Sequence, residues 1–380
     1  MDKQIILQKH GEYLIRFLAS TLKGNVPSDL PQELSWGKFY ALAKQHCVTG
    51  MLSAGAQGMV TPPEPNVLAQ FQKDAQRQMQ MGLLQLFERD VLCEALTSAG
   101  VSILPLKGCL MKEMYPAVEY RYMGDLDILF DVTKDAQVQA ILEENGYMAE
   151  HVGIQHDDSY SKPPYMHVEM HRSMVPADSE YFPYYENIFD RAHPLPENPH
   201  HYTLSWDDFY IFMLVHLYKH HTEGGSGIRS IMDIYVFLEA HENDLHRDYL
   251  AQEFDKLGIT DFVTSMEALA KDWFADEQFS EEFAGLTLYI LSSGVFGTKD
   301  HYIENRLKKY ESGARSPLAA KLSYFYHRVF PGMQVLYLNY PVLKKWKILT
   351  PFCWAHRLIY AVVCKRDIVA KEFDGMKEMK

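Results

Sequence analysis

Apolar residues recur three and four positions apart through the first hundred residues, as in Leu83, Leu86, Phe87, Val91, Ala95 and Leu96. That is the period of helices that bury one side. The loop Val60-Thr61-Pro62-Pro63-Glu64-Pro65-Asn66 interrupts the series and is expected to join two helices, because proline lacks a backbone donor and clashes with the preceding turn. From Val101 the texture changes to short runs: Val101 to Leu106, Asp125 to Phe130, and the alternating Tyr165-Met166-His167-Val168-Glu169-Met170-His171. These read as strands. Between them, Lys107-Gly108 opens a short helix that Pro116 ends, and Thr133 is expected to cap a helix running to Gly146. Pro194, Pro196 and Pro199 mark a further boundary, after which amphipathic helices resume at Ser205-Trp206-Asp207-Asp208. The expected fold class is α+β, a small mixed-sheet domain embedded in a largely helical protein. Its expected parts are a helical region over 1–99, an α/β core over 100–200 and a helical domain over 201–380.

With 47% hydrophobic and 23% charged residues in 380, the chain can bury more than one core and is not of disordered composition. A net charge of −13 repels a polyphosphate backbone, so large nucleic acid is a poor partner, whereas a small nucleotide held through cations is not. The amino terminus has no charged-then-apolar leader, and no apolar run approaches the roughly 18 residues of a membrane span, so a cytoplasmic protein without a transmembrane segment is expected. Cys47, Cys93, Cys109, Cys353 and Cys364 are odd in number and scattered, with no zinc-like pair. Reduced thiols fit that pattern.

In a strand alternate side chains share a face, so Asp125 and Asp127 project together while Leu126, Ile128 and Phe130 take the other side. Two neighbouring carboxylates repel one another, and a hard divalent cation relieves them. A lone Asp-x-Asp is common, and capping by Asp125 with Asp127 on a solvated face would explain it equally. The run Leu104-Pro105-Leu106-Lys107-Gly108-Cys109 changes that balance. A strand entering glycine and then a helix start can turn backbone N–H groups toward phosphate.

Together Lys107, Gly108, Tyr115, Pro116, Arg121, Asp125 and Asp127 resemble the polymerase-β-like nucleotidyltransferase superfamily, and within it a poorly characterised bacterial family with a Lys-Gly turn followed by Asp-x-Asp. The likeness extends to His167, Glu169 and His171, to His216, His220, Arg229 and Asp233, and more weakly to Phe330-Pro331 and Tyr340-Pro341. The resemblance implies Mg²⁺ (or Mn²⁺) held by Asp125, Asp127 and Glu169, with Glu169 also orienting or deprotonating an acceptor hydroxyl. It further implies nucleotide binding by Lys107, Gly108, Cys109 and Arg121, and a cleft lined by His167, His171, His216, His220 and Arg229. The implied activity moves a nucleoside monophosphate from an NTP, ATP foremost, to an unidentified small-molecule or protein acceptor, releasing pyrophosphate. Cys109 departs from the superfamily, which places Ser or Gly-Ser there, and a thiol donates poorly to phosphate. The alternative is a non-catalytic nucleotide-binding or scaffold protein that retains the fold.

Other constellations have simpler readings. His-x-Glu-x-His at 167–171 has zinc-like residue types but needs another ligand, such as His151 or His156. His216 and His220 share a helix face without the acidic residue of a zinc protease. Arg121 would pair with Asp125 or Glu119 if it did not meet phosphate, and Arg229 with Asp233 at helical spacing. Gly224-Gly225-Ser226-Gly227 lacks a following Lys-Ser/Thr and reads as a turn. The stretch from Lys344-Lys345-Trp346-Lys347 through His356-Arg357 to Lys365-Arg366 interleaves bases with aromatics. A membrane or nucleic-acid surface is one reading; a core-facing helix with a solvated basic edge is the expected one.

Overall fold

The helical periodicity at the amino terminus becomes, in a computed structural model, α1 (Lys3–Leu22), α2 (Trp36–Gln45), α3 (Leu52–Ala56) and α4 (Pro65–Ser98). The structure describes residues 3–153, 155–312, 316–333, 336–337, 340, 342–364, 366, 369–370 and 374; Pro341 and Lys365 lie outside the described residues. Pro65 takes the first position of α4, where a missing N–H costs nothing. The face α4 buries follows the expected apolar stripe only in part: Leu96 is buried and Leu86, Val91 and Ala95 are half-buried, but Leu83 and Phe87 are exposed and Gln85, Glu88 and Leu92 are buried instead. Burial of the two polar residues is possible because each finds partners, Gln85 at the Met123 carbonyl and Glu88 at Lys162 and Tyr147.

Then come β1 (Ile103–Pro105), α5 (Lys107–Glu113), β2 (Leu126–Phe130), α6 (Asp135–Glu144), β3 (Met148–His151), β4 (Asp157–Lys162), β5 (Met166–His171), α7 (Phe182–Tyr185), β6 (His193–Leu195) and β7 (Asn198–Thr203). They form one sheet in the order β3-β4-β5-β2-β1-β7-β6. β2 runs antiparallel to β1 but parallel to β5, with Asp127 directly opposite Glu169. Two expectations are corrected. Thr133 does not cap α6; it lies in a 3-10 turn, Val132–Lys134, that leads into α6 and is capped by Asp131, whose carboxylate accepts from the Thr133 backbone N–H. The proline-rich boundary at 193–201 is a β6–β7 hairpin, tolerated because β6 is an edge strand that can do without some ladder donors.

The chain continues through α8 (Trp206–Glu223), α9 (Ile228–His241), α10 (Arg247–Leu257), α11 (Thr260–Ala270), α12 (Ala284–Ser293), α13 (Lys299–Ser312), α14 (Pro317–Val329), α15 (Val342–Lys345) and α16 (Thr350–Cys364). Contacts divide it into two compact units: residues 1–218 with 227–295, and residues 219–226 with 296–380. In the first, one sheet face buries Leu126, Ile128 and Phe130 of β2 against Val168 and Met170 of β5 and Leu92 and Leu96 of α4. The strand period leaves Asp127, Glu169 and His171 on the opposite face. In the second unit, small clusters around Tyr324 and around Leu343 and Cys353 bury one side of α14 and α16. The outer side of α16 carries exposed Phe352, Ile359 and Val363, so the core-facing helix with a merely basic edge is not what forms.

The turn before α5 is fastened to α9 by a buried ion pair. Arg121 Nε and Nη2 donate to the two Asp233 carboxylate oxygens at 2.8 and 3.0 Å, and its Nη1 donates to the Gly108 carbonyl at 2.8 Å. Tyr115 Oη donates to the same carboxylate at 2.7 Å. Asp233 is therefore not the partner of Arg229, whose Nη1 donates instead to the Tyr122 carbonyl. A bidentate pair with every oxygen engaged withstands burial, whereas one half of it alone does not. Asp233→Ala leaves the Arg121 charge unpaired and is expected to lower the urea unfolding free energy by about 3–5 kcal/mol. A change within experimental error would show that this pair does not hold α9 to the turn.

Candidate active site

Asp127 and Glu169 meet because β2 and β5 are parallel neighbours in register, and His171, one pleat further on, returns toward the same point. His171 Nε2 lies 3.2 Å from Asp127 Oδ1 and 3.6 Å from Glu169 Oε2. One ligand atom from each of the three lies within 4.8 Å of the others. Asp125 precedes β2 by one residue and is not in that group, yet it is close enough to feel both carboxylates.

The charges are mutually dependent. Burial, then the charges of Asp127 and Glu169, push the Asp125 carboxyl up to about 6, with Lys107 opposing. Burial acts the same way on Asp127, but the hydrogen bond and charge of His171, aided by Lys107 and Arg121, hold it below the ordinary carboxylate range. Burial would depress His171; its bonds to Asp127 and Glu169 outweigh that and, with no cation bound, raise it to about 9. Lys107 begins α5, its ammonium 5.9 Å from the Phe212 ring centre. Burial brings Lys107 down to about 8, the aspartates Asp127 and Asp125 resisting and Arg121 and Arg229 assisting. Gly108 is needed for close approach: a Cβ there would stand 3.1 Å from Met123 Sδ, on the segment that leads to Asp125.

Three Arg121 N–H groups bond Asp233 and Gly108, so its guanidinium holds the turn. The Cys109 side chain is buried and its thiol donates to the Leu106 carbonyl at 3.2 Å. Arg229 is half-buried, with its buried Nε lacking a partner among the described residues, and desolvation together with the Arg121 charge lowers its pKa. His167 is exposed and outside the three-residue cluster, which removes the second histidine from the zinc reading. His216 packs edge-on to Phe212 in the first unit. His220 belongs to the second, lining a cavity there with Gly224, Thr298 and Tyr302.

The sequence profile of a family described as an uncharacterised nucleotidyltransferase matches residues 32–275, well over half of the chain. The chain belongs to that family. No curated protein and no solved structure matches it. The nucleotidyltransferase match contains the whole sheet, the three-residue cluster and the Arg121–Asp233 pair, and ends before the aromatic pairs at Phe330-Pro331 and Tyr340-Pro341. Nucleotidyltransferases use divalent metals, and two carboxylate oxygens with one imidazole nitrogen are a donor set that can take one.

Sequence reasoning gave His171 a place in the cleft wall or, in the zinc-like reading, among His-x-Glu-x-His ligands; its bond to Asp127 and its place beside Glu169 depend on β5 register. It missed Asp157, which lies opposite His171 on β4 and accepts from His156 Nδ1 at 2.9 Å. Asp-Asp-Ser-Tyr-Ser-Lys offers too little apolar alternation to announce a strand; pairing with β3 and β5 makes it one.

Asp125 supplies a pH test with a definite sign. Its folded pKa exceeds the unfolded value of 3.8, so its ionisation destabilises the metal-free protein progressively as pH rises from about 4 to about 6. Asp125→Asn is expected to raise the unfolding free energy at pH 7, without added metal, by about 1–3 kcal/mol, and to leave stability near pH 4 unchanged. Equal destabilisation at both pH values would refute the like-charge account.

Proposed function

We infer that this nucleotidyltransferase moves a nucleoside monophosphate from an NTP, ATP foremost, to a hydroxyl of a small-molecule or protein acceptor, with Mg²⁺ or Mn²⁺ as cofactor. The observation that carries the reading is the register of Asp127 against Glu169, with His171 completing the cluster. Asp125, Asp127 and Glu169 would hold the cation, His171 offering a nitrogen beside them. When bound, the metal neutralises triphosphate charge and polarises the phosphoryl group.

The remaining chemistry belongs to side chains of the chain. Lys107, desolvated and without an ion-pair partner within 4 Å among the described residues, is suited to meet a phosphate oxygen. The buried Nε of Arg229 supplies a second donor in search of an acceptor. Glu169 has the more open carboxylate of the strand pair, 34% exposed against 13% for Asp127. It accepts the acceptor's proton as the hydroxyl oxygen attacks the α-phosphorus, the new O–P bond forming as the bond to pyrophosphate breaks. His171, whose Nε2 lies between Asp127 and Glu169, orients the two carboxylates.

The test is transfer of label from each α-labelled NTP with Mg²⁺ to candidate acceptors. Asp127→Ala is expected to reduce transfer at least about a hundredfold, the scale of losing a charge-stabilising group. Nucleotide binding without transfer, unaltered in Asp127→Ala, would favour the non-catalytic alternative.

A further inference from the structure

The charge of the chain is unevenly placed. Residues 312–366 contain nine Lys and Arg and no Asp or Glu, in a protein whose net charge is −13. All 50 acidic residues lie elsewhere. The basic stretch is outside the segment that matches the nucleotidyltransferase family and belongs to the second unit.

Its helices do not bury all their apolar residues. On α16, Cys353 is buried and Trp354 and Arg357 partly so, Arg357 Nη1 donating to the Arg328 carbonyl at 3.2 Å. Phe352, Ile359 and Val363, four to seven residues apart, occupy another side and are exposed, Phe352 by 73% and Ile359 by 64%. Just before α16, Trp346, between the exposed Lys345 and Lys347, and Ile348, which follows them, are exposed too, Ile348 by 79%. Leu318, Leu322 and Phe325 give α14 a similar exposed stripe. No helix among the described residues is long and apolar enough to cross a membrane.

We propose that residues 342–366 form an interfacial anchor that seats the exposed apolar side of α16, with Trp346 and Ile348, in the surface of an anionic lipid bilayer. A helix with one apolar and one polar side and flanking bases lies in the plane of the headgroups, its apolar side among the upper acyl chains. Trp346 suits the headgroup level, where an amphipathic ring is half wetted. Lys345 and Lys347, both exposed, supply the attraction, each base near such a surface contributing about fivefold in affinity. Nucleic acid would share the bases and aromatics but has no use for the exposed aliphatic chains of Ile348, Ile359 and Val363, since its backbone takes charge and its bases take stacking. A second copy of the chain would bring the same positively charged stretch against itself.

The full chain is sedimented with vesicles of phosphatidylcholine alone and of phosphatidylcholine mixed with phosphatidylglycerol. Binding is expected on the mixed vesicles, at least about tenfold stronger than on neutral ones and weakened by salt. Phe352→Glu with Ile359→Glu is expected to weaken it at least about tenfold by removing buried apolar area. Lys345→Gln with Lys347→Gln is expected to do the same on mixed vesicles only. All four side chains are exposed, and unchanged thermal unfolding and label transfer in solution confirm that the variants fold. The proposal is overturned by no vesicle binding, by equal binding to neutral vesicles, or by binding that survives both double variants. It is also overturned if the chain instead retains a single-stranded oligonucleotide, or dimerises through this face, as shown by light scattering in which the Phe352/Ile359 variant alone is monomeric.

Discussion

Everything at the site turns on holding like charges together in a place water reaches poorly. Asp125, Asp127 and Glu169 are brought close by the parallel pairing of β2 and β5, and the sheet has no freedom to separate them without breaking its ladder. In the absence of a metal the repulsion is met from within: His171 is driven to its charged form against its own desolvation, and Lys107 faces the same pair. Asp125, last in line for compensation, gives way by drifting toward neutrality. The arrangement is thus unfavourable to the fold and favourable to a bound cation, as expected of a functional site whose strain the surroundings must bear.

Those surroundings include a long-range tie. Arg121 closes on Asp233, 112 positions away, and on the Gly108 carbonyl, so the turn that presents Lys107 is anchored to α9. The buried Gln85 side chain holds the Met123 carbonyl from α4. Both elements that hold the approach to β2 are therefore helices distant in sequence, and both lie within the nucleotidyltransferase match over residues 32–275.

The strands that carry the candidate donors were legible because β1, β2 and β5 alternate or concentrate apolar residues, and the mixed α+β class followed from them. β4 was not legible: its residues are polar, and it exists through its neighbours on both sides. The β6–β7 hairpin was hidden by prolines that an edge strand accepts. Residue types alone suggested Arg229 with Asp233 at helical spacing, but the tertiary fold offered Asp233 a bidentate partner and a tyrosine hydroxyl, which outcompete a solvated i,i+4 pair. The aromatic carboxyl-terminal stretch showed its composition in the sequence, but not which side of the helix would stay uncovered.

Whether Asp127 and Glu169, with Asp125 and His171 beside them, hold one divalent cation is addressed most directly by titration of the protein with Mn²⁺ followed by electron paramagnetic resonance. One tightly bound ion per chain is expected in the native protein, with affinity reduced at least about tenfold in both Asp127→Asn and Glu169→Gln, the scale of losing a charged ligand. Mn²⁺ binding that is the same in the native protein and in both variants would contradict the account.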